Sequence, residues 1–438
     1  MLHLARAALA AALTLAVPAA ASAATEIDLF FPVPVQGKLA VEMQRMVERF
    51  NAGHPEIKVT AAYTGSYDET SLKTRSAITA GRPPAAVIMS ANFVREYVIN
   101  DETIVLDDLI RRTGVEPGAY MDRFWPALRL NAMERGRVYG IPFHNSTPLL
   151  YYSEAAFRDA GLDPDKPPAT WTEWVEAAQK LTKRDSGNTT RWGLMMPGTY
   201  DYLGWLTSAL VMANGGQYYN EAWGGEVFYN APSTVGALQF LQDLVTKHRV
   251  MPEGVMDANA VTTAFFSGRT GMMLLSTGSL SFVREGMKQP YRVAFVPGQI
   301  TRAAPIGGAS LIIPRGNSPE RVQAAWTLIE WLTSPAVAGE WSRFTGYFAP
   351  NRAAYDLPEM QEYLARTPDA KVALDQLNQY GRGWFATYNT VGVRKAMEDQ
   401  AQALLSNRVK PAEAAERAQR AADALLRPYV EQTALKTP

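Results

Sequence analysis

The stretch from Pro142 to Trp174, PFHNSTPLLYYSEAAFRDAGLDPDKPPATWTEW, constrains the chain more than any other, because its backbone preferences change sharply within a short run. The apolar residues Leu149 to Tyr152 read as a buried strand. Ser153 then caps a short helix that runs through Ala160 and stops at Gly161. Pro167 and Pro168 in DPDKPP cannot enter a helix interior, so a turn follows. Thr170 and Glu173 form a capping box at the start of the next, tryptophan-bearing helix. This order places a hinge at the head of the stretch, where one lobe hands the chain to another.

Length supports two lobes. Arg6, the apolar run AALAAALTLAV and the small-residue site Ala21-Ser22-Ala23 read as a secretory signal peptide over residues 1–23. The run falls short of the ~20 residues a membrane span needs. The about 415 residues left exceed what one core usually serves, so two α/β lobes are expected. The chain has no cysteine, which excludes disulfides, cysteine-based metal sites and a lipoprotein cleavage site, and favours a Gram-negative periplasm. Lys plus Arg and Asp plus Glu both total 43, so the net charge is zero and nothing points to a nucleic-acid or polybasic membrane ligand. Recognition of an anion would have to come from placed groups rather than a bulk field.

Along the chain, EIDLFFP reads as a first strand, Leu39 to Asn51 as an amphipathic helix, IKVTAAYTG as a second strand and Ala85 to Met89 as a third, the opening of a doubly wound sheet. Tyr291 to Pro297 and Ser310 to Pro314 read as strands on either side of Gly307-Gly308, with a second crossing between lobes in the turns between them. One helix carrying Trp326, Trp331 and Trp341 is expected to lead to a third crossing near Phe344 to Asn351. The lobes are then 24–145 with 298–346, and 146–297 with 347–438. Pro411 to Leu426 reads as a last helix with an alanine-rich face.

The chain carries almost no signature of catalytic chemistry. His3, His54, His144 and His248 include no pair at metal-ligand spacing on one helix, and the chain has no G-x-S-x-G elbow, Walker A loop or dinucleotide fingerprint. No catalytic residue, metal or cofactor is expected. What remains are small polar groups at the predicted crossings: Ser146, Ser276, Gly308, Tyr347 and Arg394. Singly, each has a plain structural explanation as a helix cap, a tight turn, a core ring or a surface ion pair.

Together with Tyr67 they occur in ordered motifs, GSYDET, PFHNSTPLLYY, STGSLSFVRE, IGGAS, TGYFAPN and VGVRKAMEDQ. In these motifs the chain resembles, over nearly its whole mature length, the periplasmic glycerol-3-phosphate-binding proteins of Ugp-type ABC importers, which belong to the extracytoplasmic solute-binding proteins. The resemblance implies a two-lobed α/β fold with a hinge of about three crossings, a phosphorylated glycerol ligand, permease subunits as partners, and a monomer. It also implies that Tyr67, Ser146, Ser276, Gly308, Tyr347 and Arg394 surround the phosphate. That set makes chemical sense, since phosphate offers acceptor oxygens and these residues offer hydroxyls, one guanidinium and a closely approachable backbone N–H. Arg394, its only cation, should contribute the largest electrostatic effect.

The chain departs from the family pattern in two places. Ala91 stands where the family has a glutamate that holds the glycerol hydroxyls, and the flanking tryptophans have no clear equivalents beyond Tyr200, Tyr202 and Trp205 in MPGTYDYLGWL. Such an end suits a glycerophosphodiester as well as glycerol 3-phosphate. An oligosaccharide or polyol binder of the same class is the alternative, compatible with the aromatic content.

Overall fold

Two five-stranded sheets organise the chain, each with its own apolar core. The computed structural model describes residues 23–33, 35, 37–200 and 202–433; apart from Ala23, the expected signal peptide lies outside them. The first sheet runs in the order Ile57–Gly65, Thr25–Pro32, Ala86–Ser90, Gly307–Ile312, Ile141–Ser146. Its first three strands are parallel, because the helices Leu39–Gly53 and Tyr67–Thr79 return the chain between them. Gly307–Ile312 pairs antiparallel with both neighbours. Along Thr25–Pro32 the alternating Ile27, Leu29 and Phe31 are buried, and Met43, Met46, Val47 and Phe50 cover them at helical spacing.

The second sheet runs Tyr291–Ala294, Pro148–Ser153, Thr270–Ser276, Asn188–Met195, Lys183–Asp185. Leu149 to Tyr152 are all buried, as a continuous apolar run should be when both faces of the sheet are covered. The Ser153 cap and the Thr170–Glu173 capping box form as expected, opening the helices Glu154–Asp159 and Trp171–Leu181. The last helix extends over Pro411–Thr433 and seats Ala414, Ala415, Ala418, Ala422 and Leu426 in the second core.

The chain passes from the first sheet to the second at Thr147, returns ahead of Gly307, and leaves the first core at Tyr347, since Phe348 already belongs to the second. Residues just before Gly307 pack against the second core: Ala304 and Pro305 pair with Gly381 and Arg382, and Ile306 is buried there. The sequence reading gives 298–306 to the first lobe.

Two local expectations need correction. Trp341 does not share a helix with Trp326 and Trp331: the helices are Pro319–Leu332 and Pro335–Thr345. Pro335 lacks an N–H and takes the first position of a new helix, so the chain re-aims at Ser334. The glycine pair Gly307-Gly308 lies inside the strand rather than before it, at a register shift opposite Ser146 and Phe143.

Candidate ligand-binding cleft

Between the two cores lies a cleft of about 650 Å³, lined from one side by Tyr63, Tyr67, Glu69 and Gly308 and from the other by Tyr202, Trp205, Asp257, Ser276 and Trp384. Ser146 and Tyr347, at two of the passages between sheets, line it as well. Eight of the residues expected from sequence therefore meet here: Tyr67, Ser146, Ser276, Gly308, Tyr347, Tyr200, Tyr202 and Trp205.

Five of them are held by their local structure. Tyr67 opens the Tyr67–Thr79 helix behind the cap Ser66, whose hydroxyl accepts from the Glu69 N–H while the Glu69 carboxylate accepts from the Ser66 N–H at 2.7 Å. Ser276 ends its strand and caps the following turn by accepting from the Gly278 N–H at 3.0 Å, so the plain explanation as a cap holds for it even though it lines the cleft. Trp205 donates its indole N–H to the Pro305 carbonyl at 3.0 Å, which fixes the ring against the second passage. Tyr347 is buried in the first core and stacks on His144 with ring centroids 4.7 Å apart. Burial holds the Tyr67 and Tyr347 hydroxyls well above the usual phenol range, so both stay protonated donors. At Gly308 the backbone takes φ +89°, and a Cβ would run into the His144 carbonyl and the Asn145 Cα, the latter at 2.7 Å. Only glycine lets the strand come this close.

Two expected residues lie elsewhere. Ala91 is buried at the start of a short turn, Ala91–Phe93, after the strand Ala86–Ser90, and does not line the cleft. Arg394 is 3% exposed and stands behind the wall. Its Nη2 donates to both carboxylate oxygens of Asp68 at 2.9 and 2.8 Å, and its Nε lies 3.5 Å from Glu398. Asp68 neighbours Tyr67, so this guanidinium sits one side chain away from the lining.

The charges that do line the cleft, among the described residues, are the carboxylates of Glu69 and Asp257. Both are engaged by helix N-termini: Glu69 as above, and Asp257 by accepting from the Ala260 N–H at 2.7 Å. The Ser66 N–H holds the Glu69 carboxyl below its usual range. Sequence reasoning missed these two acids, together with Tyr63, Thr199, Asn259 and Trp384. The spacing Ser66-x-x-Glu69 and Asp257 ahead of an apolar helix were the signals that could have found the acids.

Glu398 bears on stability. Burial pushes its carboxyl from 4.5 up to about 7, against the pull of Arg394. A carboxyl raised on folding gives a stabilising contribution that is complete below about pH 4.5 and is lost as pH climbs through about 7. Urea unfolding should show stability falling between pH 5 and pH 8, and Glu398→Gln should flatten that fall by ~1–3 kcal/mol. An unchanged slope in the variant would remove Glu398 as its source.

The model of the bacterial extracellular solute-binding protein family matches residues 45–368. The chain is 30% identical to the sn-glycerol-3-phosphate-binding periplasmic protein UgpB of Yersinia enterocolitica, over 96% of this chain and 97% of that one. It is 28% identical to UgpB of Escherichia coli, over 97% and 98%. Among solved structures, UgpB from Mycobacterium tuberculosis in complex with glycerophosphocholine superposes with a TM-score of 0.82 at 25% identity, covering 93% of this chain and all of that one. Maltose-bound MalE3 of T. maritima shares the fold, with a TM-score of 0.77 at 24% identity, 91% of this chain and 99% of that one being covered. No helix among the described residues is long and apolar enough to cross a membrane. With the family model spanning most of the chain and relatives aligned from end to end, the chain belongs to the bacterial extracellular solute-binding proteins.

Proposed function

We propose that this protein captures glycerol 3-phosphate or glycerophosphodiesters in the periplasm and delivers them to the permease subunits of an ABC importer. It does so as a monomer, without metal or nucleic acid, and without chemistry on the ligand. The ligand sits between a first lobe of residues 24–146 and 307–347 and a second of 147–306 and 348–433. The observation that carries this reading is the convergence of Tyr67, Ser146, Ser276, Tyr347 and Gly308 on one cleft. Four hydroxyls and a closely approachable backbone suit an acceptor-rich phosphate. The two acids in the lining, Glu69 and Asp257, are each compensated by the N-terminus of a helix, Tyr67–Thr79 and Ala258–Phe266, which lessens their repulsion of an anion.

The relatives named for sn-glycerol 3-phosphate and the neighbour solved with glycerophosphocholine support the same ligand class. Tyr63, Tyr200, Tyr202, Trp205 and Trp384 leave the remainder of the cleft aromatic, which favours a ligand larger than the monoester and gives oligosaccharide binding its support.

Calorimetry of ligand-stripped protein against glycerol 3-phosphate, glycerophosphocholine, inorganic phosphate and maltose tests the reading. Binding of the organic phosphates, with maltose inert and the bound ester recovered at unchanged mass, is the expected result. Tight maltose binding with inert phosphates would replace it with the sugar reading.

A further inference from the structure

His144 is absent from the cleft lining, yet it touches two of the tyrosines that line it, Tyr67 and Tyr347. Its Nε2 lies 3.1 Å from the Tyr67 hydroxyl, and its ring stacks between Tyr347 at 4.7 Å and Trp341 at 6.0 Å. It is 1% exposed, and its backbone has φ +39°, a left-handed conformation uncommon for a residue with a side chain. The carbonyl that Gly308 must clear is also its own. A residue held so tightly and against its backbone preference invites a functional explanation.

The two ring nitrogens are unequal. Among the described residues, Nδ1 is buried without a hydrogen-bond partner. Burial holds the imidazole neutral, with its pKa pushed down to about 3, so one nitrogen carries a proton and the other a lone pair. A proton on Nδ1 would be an orphaned buried donor, the kind of group folded proteins avoid most, whereas a lone pair there is tolerated more readily. The proton therefore belongs on Nε2, and the contact to Tyr67 runs from imidazole N–H to phenol oxygen. The Tyr67 hydroxyl has then received a hydrogen bond and must place its own proton elsewhere. The directions open to it are the Tyr347 hydroxyl, with which it interacts, and the cleft both residues line.

We propose that His144 is a positioning residue: as its Nε2–H tautomer it donates to Tyr67 and so orients the Tyr67–Tyr347 hydroxyl pair to donate into the cleft, making that wall a donor surface selective for acceptor-rich anions. The inference rests on the phosphate reading above and specifies how that wall favours phosphate. It assigns polarity to the site without placing a cation in it.

The tautomer can be read directly. In ¹⁵N-histidine-labelled, ligand-free wild-type protein, long-range ¹H–¹⁵N spectra should show His144 protonated on Nε2 and unprotonated on Nδ1 near neutral pH. His144→Phe keeps a stacking ring and removes the donor, and should weaken glycerophosphocholine binding about tenfold, while His144→Gln, which can restore an N–H near the Nε2 position, should recover most of the loss. Thermal melting of both variants separates a binding loss from a folding defect. An Nδ1–H signal overturns the proposal even where phosphate esters bind, as does an equal affinity loss in the two folded variants. An Nε2–H signal upholds the donor polarity even where titration of the wild type finds a different acceptor-rich ligand.

Discussion

Replacing Arg394 with alanine is expected to weaken phosphate-ester binding by ~2–5 kcal/mol, the range for truncating one member of a buried, hydrogen-bonded charge pair. The structure gives this residue a more specific setting than its place in VGVRKAMEDQ does. It projects from the helix Thr390–Leu405, which packs in the second core, and grips Asp68 on the helix Tyr67–Thr79 of the first. The pair thus ties the lobes together directly behind Tyr67. Arg394 also faces Glu398, which is fully buried, so its removal leaves that carboxylate without this neighbouring charge. Two roles fit this geometry, and Asp68→Asn distinguishes them. If the guanidinium turns to the phosphate in the complex, Asp68→Asn releases a competitor, and affinity should hold or rise while Arg394→Ala lowers it. If the pair is a tie between lobes and nothing more, both variants should weaken binding alike, and Arg394 leaves the ligand set. Calorimetry at matched conditions, with thermal melts of both variants, reads the difference.

Much of the scaffold was legible because its signals are local. Alternation in EIDLFFP, the caps Ser153 and Thr170 and the prolines after Gly161 each depend on residues within a few positions, and each formed. The split between Trp331 and Trp341 was equally local and was missed, because helical apolar spacing continues through Ser334-Pro335 and hides the restart. The site divides on the same principle. Five residues of the phosphate set carried motif signals and line one cleft. Asp68, which Arg394 grips, lies 326 positions away and bears no mark of the pairing in its own neighbourhood. Glu69 and Asp257 look like ordinary helix caps, which they are; that both caps open into the ligand cleft follows from lobe packing. His144 drew attention only as a possible metal ligand, whereas its part depends on tyrosines brought to it by two other segments.

Gly308→Ala should be the most damaging single methyl group in the site. The added Cβ meets two penalties. At φ +89° an L side chain is strained, at roughly 1–2 kcal/mol for the left-handed region. It also collides with backbone, at the His144 carbonyl and the Asn145 Cα, where no side-chain rotation can give way; overpacking of this kind costs roughly 1–3 kcal/mol. Destabilisation of roughly 2–5 kcal/mol is therefore expected, read as a shift of the urea midpoint at constant slope. Gly254→Ala is the control, since Gly254 has φ +100° but open space around a Cβ, and should show the strain alone. The strand can relieve the collision only by moving away from His144, carrying Gly308 out of its place in the cleft wall, so variant protein that remains folded at low temperature should also bind phosphate esters more weakly. If Gly308→Ala costs no more than Gly254→Ala and leaves affinity intact, the close approach at this strand contributes nothing to the site, and the hydroxyls of Tyr67, Ser146, Ser276 and Tyr347 must hold the ligand without it.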